Sequence, residues 1–205
     1  MDITRLYLAR HGRTPLNAAG ALRGHIDVPL DAVGAAQAQR LGVALAELGP
    51  RYVVSSPLRR AVETAQPYAE RAGLAINIDE RLIDRDYGRW AGTSPEAVAA
   101  EWGSVEAAPG VEPAAQVRAR VLAALVDIAE KMHGKQALVV SHDVVIRTAL
   151  VALSPVLGDP DLVAQETGCF NTLDYLGAQG GTPHWSVVRV NEVPGGWEDL
   201  TGAGG

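Results

Sequence analysis

The chain has 205 residues, of which 47% are apolar and 20% charged, with a formal net charge of −6 and a pI of about 5.3. This composition is typical of a folded globular domain, and the acidic balance argues against nucleic acid or an anionic membrane as a partner. A single cysteine, Cys169, excludes an intrachain disulfide, and the longest uncharged apolar-rich run, residues 148–158, is too short to span a membrane. We therefore expect a cytoplasmic protein without a membrane or nucleic-acid partner.

Short apolar runs predict the buried strands of a mostly parallel sheet. In chain order the runs are Leu6–Ala9, Tyr52–Ser55, Ala75–Ile78 and Ala137–Val140, and two further strands are predicted near Phe170–Leu176 and Trp185–Val190.

Helical periodicity predicts helices between these strands, and hence an α/β fold. Asp31 is suited to cap a helix through Leu48, and Ser56 to cap a helix with Pro57 at its first position. The remaining predicted helices cover residues 96–102, 117–132 and 144–153. We expect a single domain over residues 1–193, followed by a flexible Gly-rich tail over residues 194–205.

Basic side chains follow the ends of the predicted strands. Arg10 and His11 come directly after the first strand, Arg60 lies in the first turn after the second, and His142 follows the fourth. Because ligands of open α/β sheets bind beyond the carboxyl ends of the strands, we expect these residues to converge. Arginines supply paired donors for phosphoryl oxygens and a neutral imidazole supplies a nucleophile, whereas zinc and calcium sites usually need carboxylates. The pattern predicts phosphoryl transfer through a histidine, with Gly12 making the sharp turn after the strand.

Further motifs extend this pattern over nearly the whole chain. They are Arg10-His11-Gly12 with Thr14 and Asn17, residues 24–30 with Gly34 and Gln37, residues 55–61 with Thr64, residues 82–92, residues 109–112 and residues 139–142. In this order they resemble the histidine phosphatase superfamily, in its phosphoglycerate-mutase-like branch. The resemblance implies a three-layer α/β sandwich, with a mostly parallel central sheet flanked by helices.

The same resemblance implies a role for each residue at the sheet edge. His11 would be phosphorylated, and His142 would be a second catalytic residue. Arg10, Arg60 and His142 would bind the transferring phosphoryl group, with Asn17 as a further phosphate contact. The implied enzyme needs neither a metal nor a cofactor, and its partner is a small phosphorylated metabolite.

Three aspartates are candidates for the general acid. The family usually has a glutamate two residues after the leucine at position 82, whereas this chain has Asp84 there. We expect Asp84 to protonate the leaving alcohol, with Asp86 and Asp143 as alternatives. Asp143 directly follows the second histidine, where a related branch has its acid, but we expect it to cap the next helix.

Two arginines depart from the family pattern. Arg13 stands where an acidic or amide residue is common, and Arg23 where a glutamine is common. We expect both side chains to be solvated, and we retain Arg23 and its neighbour Gly24 as candidates for substrate contact.

Residues 91–117, which we call the cover, contain no Lys, Arg or His but four glutamates, Glu96, Glu101, Glu106 and Glu112. The family's mutases carry a longer, basic insertion there, and an acidic cover would repel a highly anionic mutase intermediate. We therefore predict a phosphomonoester hydrolase whose leaving group is not strongly anionic. The alternatives are a cofactor-dependent phosphoglycerate mutase and a catalytically weak regulatory protein that binds a phospho-ligand. A homodimer is left open.

Overall fold

A six-stranded sheet forms the centre of the computed structural model, which describes residues 3–195. The strands are β1 (Thr4–Arg10), β2 (Tyr52–Ser55), β3 (Ile76–Ile78), β4 (Gln136–Ser141), β5 (Phe170–Gln179) and β6 (Thr182–Glu192). They lie in the order β3-β2-β4-β1-β5-β6, in which the first four are parallel and the last two pair antiparallel. The predicted mostly parallel sheet is confirmed.

Helices cover both faces of this sheet. They are α1 (Pro15–Ala18), α2 (Ala32–Leu48), α3 (Arg59–Ala72), α4 (Pro95–Trp102), α5 (Ala114–Met132) and α6 (Asp143–Leu153). Tyr7 and Ala9 of β1 pack in a core with α2 and α3, whereas Leu6 and Leu8 pack in a second core with α5 and α6. Successive side chains of a strand point to opposite faces, so a strand buried on both faces needs a continuous apolar run. The predicted three-layer sandwich is confirmed.

The starts of the two helices beside the site, α3 and α6, differ from the prediction by one or two residues. Helix α3 begins at Arg59 with Leu58 as its N-cap, and the hydroxyl of Ser56 accepts from the backbone N–H of Leu58 at 3.3 Å and is also hydrogen-bonded to His142. Helix α6 begins at Asp143 itself, with His142 in the N-cap position. The expected N-cap role of Asp143 is therefore wrong, and its carboxylate is free to pair with arginines.

The turn after β1 packs closely against the start of α2. A Cβ added to Gly12 would lie 2.5 Å from the carbonyl oxygen of Gly34, and one added to Gly34 would lie 2.0 Å from that of Arg13. Gly12 is not among the glycines with positive φ. The expectation that it serves a sharp turn is corrected: the position requires glycine because two backbone segments approach too closely for a side chain.

The strand order brings the ends of three strands together. Arg10 at the end of β1 pairs in register with Ser141 at the end of β4, and Ser55 of β2 pairs with Val140. His11, Ser56 and His142 therefore follow neighbouring strands at one edge of the sheet. The chain turns towards α2 on one face after β1 and enters α6 on the other face after β4. Such a switch opens a crevice at the carboxyl ends of the strands.

Within residues 3–195, no helix is long and apolar enough to cross a membrane. The predicted tail, residues 194–205, lies outside the described residues except for its first two positions.

Candidate active site

Two fully buried histidines lie at the centre of the crevice. The rings of His11 and His142 are 5.1 Å apart between centroids. His11 Nδ1 lies 2.7 Å from the carbonyl oxygen of Gly12. Because a carbonyl can only accept a hydrogen bond, Nδ1 carries the proton and Nε2 keeps its lone pair. His142 Nε2 is hydrogen-bonded to the hydroxyl of Ser56, at 2.7 Å.

Both imidazoles are neutral. Burial lowers the pKa of His11 well below its ordinary value of 6.5, and the neighbouring His142, Arg60 and Arg10 lower it further. Burial also lowers the pKa of His142 well below 6.5, and the charges of Arg60 and Arg23 act in the same direction. A neutral imidazole with a free Nε2 is the form that can act as a nucleophile.

Two buried arginines flank the histidines, and each is held by fixed acceptors. Arg60 Nη2 donates to the carbonyl oxygen of Gly24 at 2.8 Å, and Nη1 donates to that of Ile26 at 2.9 Å. Arg10 Nη1 donates to the carbonyl oxygen of Gln165 and lies 3.3 Å from Asp143 Oδ2. These contacts fix the orientation of both guanidinium groups.

Several buried nitrogen atoms of this site have no hydrogen-bond partner among the described residues. They are Arg10 Nε, His11 Nε2, Arg23 Nε, Arg60 Nε and His142 Nδ1, and among residues 3–195 these are the only buried side-chain atoms of this kind. An unpaired buried polar atom costs about 1 to 3 kcal/mol. A tetrahedral oxyanion beside His11 Nε2 would accept from such donors, so the arrangement fits a phosphoryl group.

Asp84 lies between Arg60 and His142. Its Oδ2 accepts from Arg60 Nη2 at 3.0 Å and lies 3.8 Å from His142 Nδ1. Its Oδ1 accepts from the backbone N–H of Arg85 at 2.9 Å. The carboxyl group is almost fully buried, at 2% exposure. Asp84 is therefore in direct contact with two of the predicted phosphate-binding residues.

The two alternative acids are used differently. Asp86 accepts from the backbone N–H of Gly88 at 2.7 Å and is partly exposed. Asp143 forms ion pairs with Arg147 at 2.5 Å and Arg10 at 3.3 Å, and lies 4.0 Å from Arg23. Asp143 thus lies beside the site and pairs with its arginines. Asp86 lies in a turn and bonds to the backbone of that turn.

The other predicted contacts have structural roles that the sequence did not show. The Oδ1 of Asn17 accepts from the backbone N–H and hydroxyl of Thr14 and so caps α1, leaving its amide NH₂ as the group that could donate to a phosphate. Gly24 acts through its carbonyl, which holds Arg60. Ser56 was not predicted as a site residue, although its position directly after β2 matches that of His11 after β1.

The two unusual arginines have different environments. Arg13 is 40% exposed and pairs with Asp31 at 2.8 Å, as expected for a surface arginine. Arg23 is only 16% exposed and has a buried Nε. The expectation that Arg23 is solvated is therefore wrong: its side chain is drawn into the site beside Asp143.

A small apolar cluster connects the cover to the rest of the chain. Leu22 and Tyr87 from outside the cover pack with Val98 of α4 and Ala108, and partly buried side chains such as Val105 surround them. This cluster attaches α4 and the following loop to the chain segments that carry Arg23 and Asp84.

The residues at the sheet edge suit an anion better than a metal ion. Among residues 3–195, no group of three or more His, Cys, Asp or Glu side chains could hold a metal ion. Metal independence and the absence of a cofactor remain predictions.

Comparison with known proteins gives the same assignment as the motifs. The family model of the histidine phosphatase superfamily (branch 1) matches residues 6–192. A probable phosphoglycerate mutase of Salmonella paratyphi C is 30% identical over 203 residues, which cover 92% of this chain and 93% of the relative. A glucosyl-3-phosphoglycerate phosphatase of Mycolicibacterium vanbaalenii is 39% identical over 92 residues, which cover 45% of this chain and 41% of the relative.

The same similarity holds in three dimensions. The structure of a mycobacterial glucosyl-3-phosphoglycerate phosphatase with VO3 has a TM-score of 0.78 and 28% identity, covering 92% of this chain and 98% of that chain. A phosphoglycerate mutase from Bacillus anthracis, at 24% identity and a TM-score of 0.81, has the same fold and covers 94% of both chains. The predicted phosphoglycerate-mutase-like fold is confirmed, and the chain belongs to branch 1 of the histidine phosphatase superfamily.

Proposed function

We propose that the chain hydrolyses phosphomonoesters of small metabolites through a covalent phosphohistidine at His11. One observation supports this assignment above the others. The Nδ1 of His11 bonds to the Gly12 carbonyl, which leaves a neutral, buried Nε2 that has no partner within residues 3–195, beside the guanidinium groups of the site. A nucleophile with a free lone pair and fixed cationic donors around it is what phosphoryl transfer requires.

Two arginines would stabilise the transferring phosphoryl group. The Nε atoms of Arg10 and Arg60 have no partner in the described part of the chain and would donate to the phosphoryl group, while Nη atoms of both guanidinium groups bond to backbone carbonyls. Donors held in place before the reaction need no reorganisation in the transition state, and the loss of one such donor typically costs about 3 to 4 kcal/mol. His142 Nδ1 and the amide NH₂ of Asn17 would be the other hydrogen-bond donors to the phosphoryl group.

The proposed reaction has two steps. In the first, His11 Nε2 attacks phosphorus, the P–O bond to the alcohol breaks, and the carboxyl group of Asp84 gives its proton to the leaving oxygen. In the second, water attacks the phosphohistidine, Asp84 takes a proton from that water, and the N–P bond breaks to release phosphate. Two steps with a covalent intermediate divide one difficult reaction into two easier ones.

Hydrolysis fits the cover better than mutase chemistry does. A mutase intermediate carries two phosphoryl groups and therefore needs a second set of cations. The cover has no basic residue, and Arg85 and Arg120, which contact it from outside, are ion-paired with Glu106 and Glu112. The relatives that support hydrolysis are the phosphatases named above, whereas the probable phosphoglycerate mutase keeps transfer as the alternative.

A regulatory protein that binds a phospho-ligand without turnover is the other alternative. Only the replacement of the usual glutamate by Asp84 favours it. Turnover of nitrophenyl phosphate by the purified protein would exclude this alternative.

The proposal is tested by trapping the intermediate. Rapid quenching with a ³²P-labelled phosphomonoester should give a protein adduct that is stable in alkali and labile in acid, as expected for a phosphohistidine. His11→Ala should abolish both the adduct and turnover, whereas His184→Ala, at an exposed position, should change neither. An adduct or near wild-type turnover in His11→Ala would show that the nucleophile is another residue.

A further inference from the structure

A third guanidinium group, that of Arg23, lies in the phosphoryl site. Its Nη2 is 4.0 Å from Asp143 Oδ2, and the same carboxylate oxygen is 3.3 Å from Arg10 Nη1. Two guanidinium groups that share one carboxylate oxygen lie side by side. The Nε atoms of both arginines are buried and lack a partner among the described residues, so both can donate to a ligand.

Arg23 lies nearest to the surface of the three arginines in the site. The side-chain exposure increases from 0% for Arg60 to 9% for Arg10 and 16% for Arg23. A substrate must place its phosphate against His11, at the bottom of the crevice, so its alcohol part extends towards the surface. Arg23 is therefore placed to contact the alcohol part, while the two deeper arginines address the phosphoryl group.

The neighbourhood of Arg23 has more positive than negative charge. The single carboxylate of Asp143 lies near three arginines, since Arg147 also pairs with it at 2.5 Å. The other buried carboxylate of the site, that of Asp84, is paired with Arg60. An additional anionic group of a substrate would therefore meet uncompensated positive charge next to Arg23.

The cover repels anions less than its sequence indicates. Two of its four glutamates are neutralised from outside the cover: Arg85 pairs with Glu106, and Arg120 pairs with Glu112 at 2.8 Å. The expectation of a leaving group without strong negative charge depended on all four glutamates. The ion pairs remove half of that charge, so one additional anionic group can be accommodated.

We infer that Arg23 is a specificity-determining residue, which selects phosphomonoesters whose alcohol part carries a second anionic group a few bonds from the ester oxygen. The inference rests on the proposed function, because it names the class of substrate for the same site. The chemical step is unchanged; only the binding of the alcohol part differs between substrates.

The test compares two phosphomonoesters of equal chain length, 3-phosphoglycerate with a carboxylate and glycerol 3-phosphate with a neutral hydroxymethyl group. Phosphate release is measured for each, and the ratio of their kcat/KM values is the readout. The wild-type ratio should favour 3-phosphoglycerate by at least about tenfold, the factor that 1.4 kcal/mol of binding provides. Arg23→Gln should lower the ratio about tenfold, and Arg23→Lys, which keeps the charge, should retain part of it.

Arg13→Gln is the matched control, because the Arg13 side chain is only partly buried and pairs with Asp31 outside the site. It should keep the wild-type ratio. An unchanged ratio in Arg23→Gln would overturn the inference. If both kcat/KM values fall by the same factor, Arg23 binds the phosphoryl group itself; if neither falls, Arg23 does not contact the substrate. Failure of the proposed function is distinguishable, since it would abolish the His11 adduct with every substrate.

Discussion

The reactive side chains are held mainly by backbone carbonyls. His11 is oriented by the carbonyl of Gly12, Arg10 by that of Gln165, and Arg60 by those of Gly24 and Ile26. Carbonyl groups accept hydrogen bonds without titrating, so this part of the arrangement is independent of pH. Asp84 and Asp143 are the carboxylates in the site. Substitution of the one that transfers the proton should discriminate between substrates, because the need for a proton depends on the leaving group.

Replacement of Asp84 should affect substrates according to their leaving group. An alkoxide leaves poorly without a proton, and general acid catalysis contributes about 10²- to 10⁴-fold. Asp84→Asn should therefore reduce kcat for an alkyl phosphate by about that factor, whereas kcat for nitrophenyl phosphate, which has a good leaving group, should fall much less. Steady-state kinetics with both substrates measures the difference.

The same substitution at the two rival aspartates supplies the controls. Asp86→Asn should leave both substrates close to wild type. Asp143→Asn should weaken both substrates alike, because it releases Arg10 and Arg23. If Asp143→Asn discriminates between the leaving groups and Asp84→Asn does not, the acid is Asp143.

The two neutral histidines should make stability depend on pH. Burial lowers the pKa of both His11 and His142 in the folded state, whereas the unfolded chain titrates near 6.5. The unfolded state therefore binds more protons below about pH 6.5, so stability is complete above that pH and decreases as the pH falls. The slope should approach about 1.4 kcal/mol per pH unit for each histidine. Urea unfolding in phosphate-free buffers between pH 5.5 and 7.5 measures it.

A double variant isolates this effect from other titrating groups. His11→Asn with His142→Asn should lose most of the slope between pH 5.5 and 6.5. His184→Asn, at an exposed position, should keep it. A slope that is the same in the double variant and the wild type would assign the pH dependence to carboxylates elsewhere.

At the scale of elements, periodicity predicted the helices but not the reasons for their ends. Asp31 caps α2 as expected, since its Oδ1 accepts from the backbone N–H of Gly34 at 2.8 Å. Ser56 has the same capping chemistry and accepts from the backbone N–H of Leu58 at 3.3 Å, yet its hydroxyl also bonds to His142, which is 86 residues away in the chain. Local sequence contains no information about a partner at that distance. The starts of α3 and α6 could therefore be predicted only approximately.

The segment that carries Asp84 is held from helix α5 by Arg120. This arginine donates to the carbonyl oxygens of Arg81 at 2.8 Å, Ile83 at 2.6 Å and Asp84 at 3.2 Å, and it pairs with Glu112. Residues 81–84 contain only a single short turn of 3₁₀-helix, so these contacts replace regular secondary structure in fixing the backbone.

Arg120→Gln should release this segment. The loss of a partly buried charge with its ion-pair partner and three acceptors should reduce the free energy of unfolding by about 3 kcal/mol. Because the Asp84 carboxyl would lose its fixed position, alkyl phosphate turnover should fall more than nitrophenyl phosphate turnover. Urea unfolding and steady-state kinetics measure the two effects, and Arg118→Gln, at an exposed position on the same helix, is the control. Equal stability of both variants would contradict the role assigned to Arg120.

At the scale of the whole molecule, the strand order could be expected only through the resemblance. The apolar runs predict buried strands, and the histidines at two strand ends predict one site, but nothing local to β4 indicates that it inserts between β1 and β2. Charge was harder to predict. The four glutamates of the cover indicated a repulsive surface, whereas Glu106 and Glu112 are paired with arginines that lie outside it. Arg23 was misjudged for the same reason, because its partner Asp143 is distant in sequence.

The balance of charge over the site also predicts which of the two family activities dominates. A mutase must retain an intermediate with two phosphoryl groups, but the cover contributes no cation, and Arg85 and Arg120 are already ion-paired. We therefore expect phosphate release from 3-phosphoglycerate without appreciable conversion to 2-phosphoglycerate. An assay coupled to the consumption of 2-phosphoglycerate, with 2,3-bisphosphoglycerate added, measures the conversion, and phosphate release by the same preparation serves as the control. Isomerisation at a rate equal to or above that of hydrolysis would mean that cations outside the cover hold the intermediate, with Arg23 as the first to test.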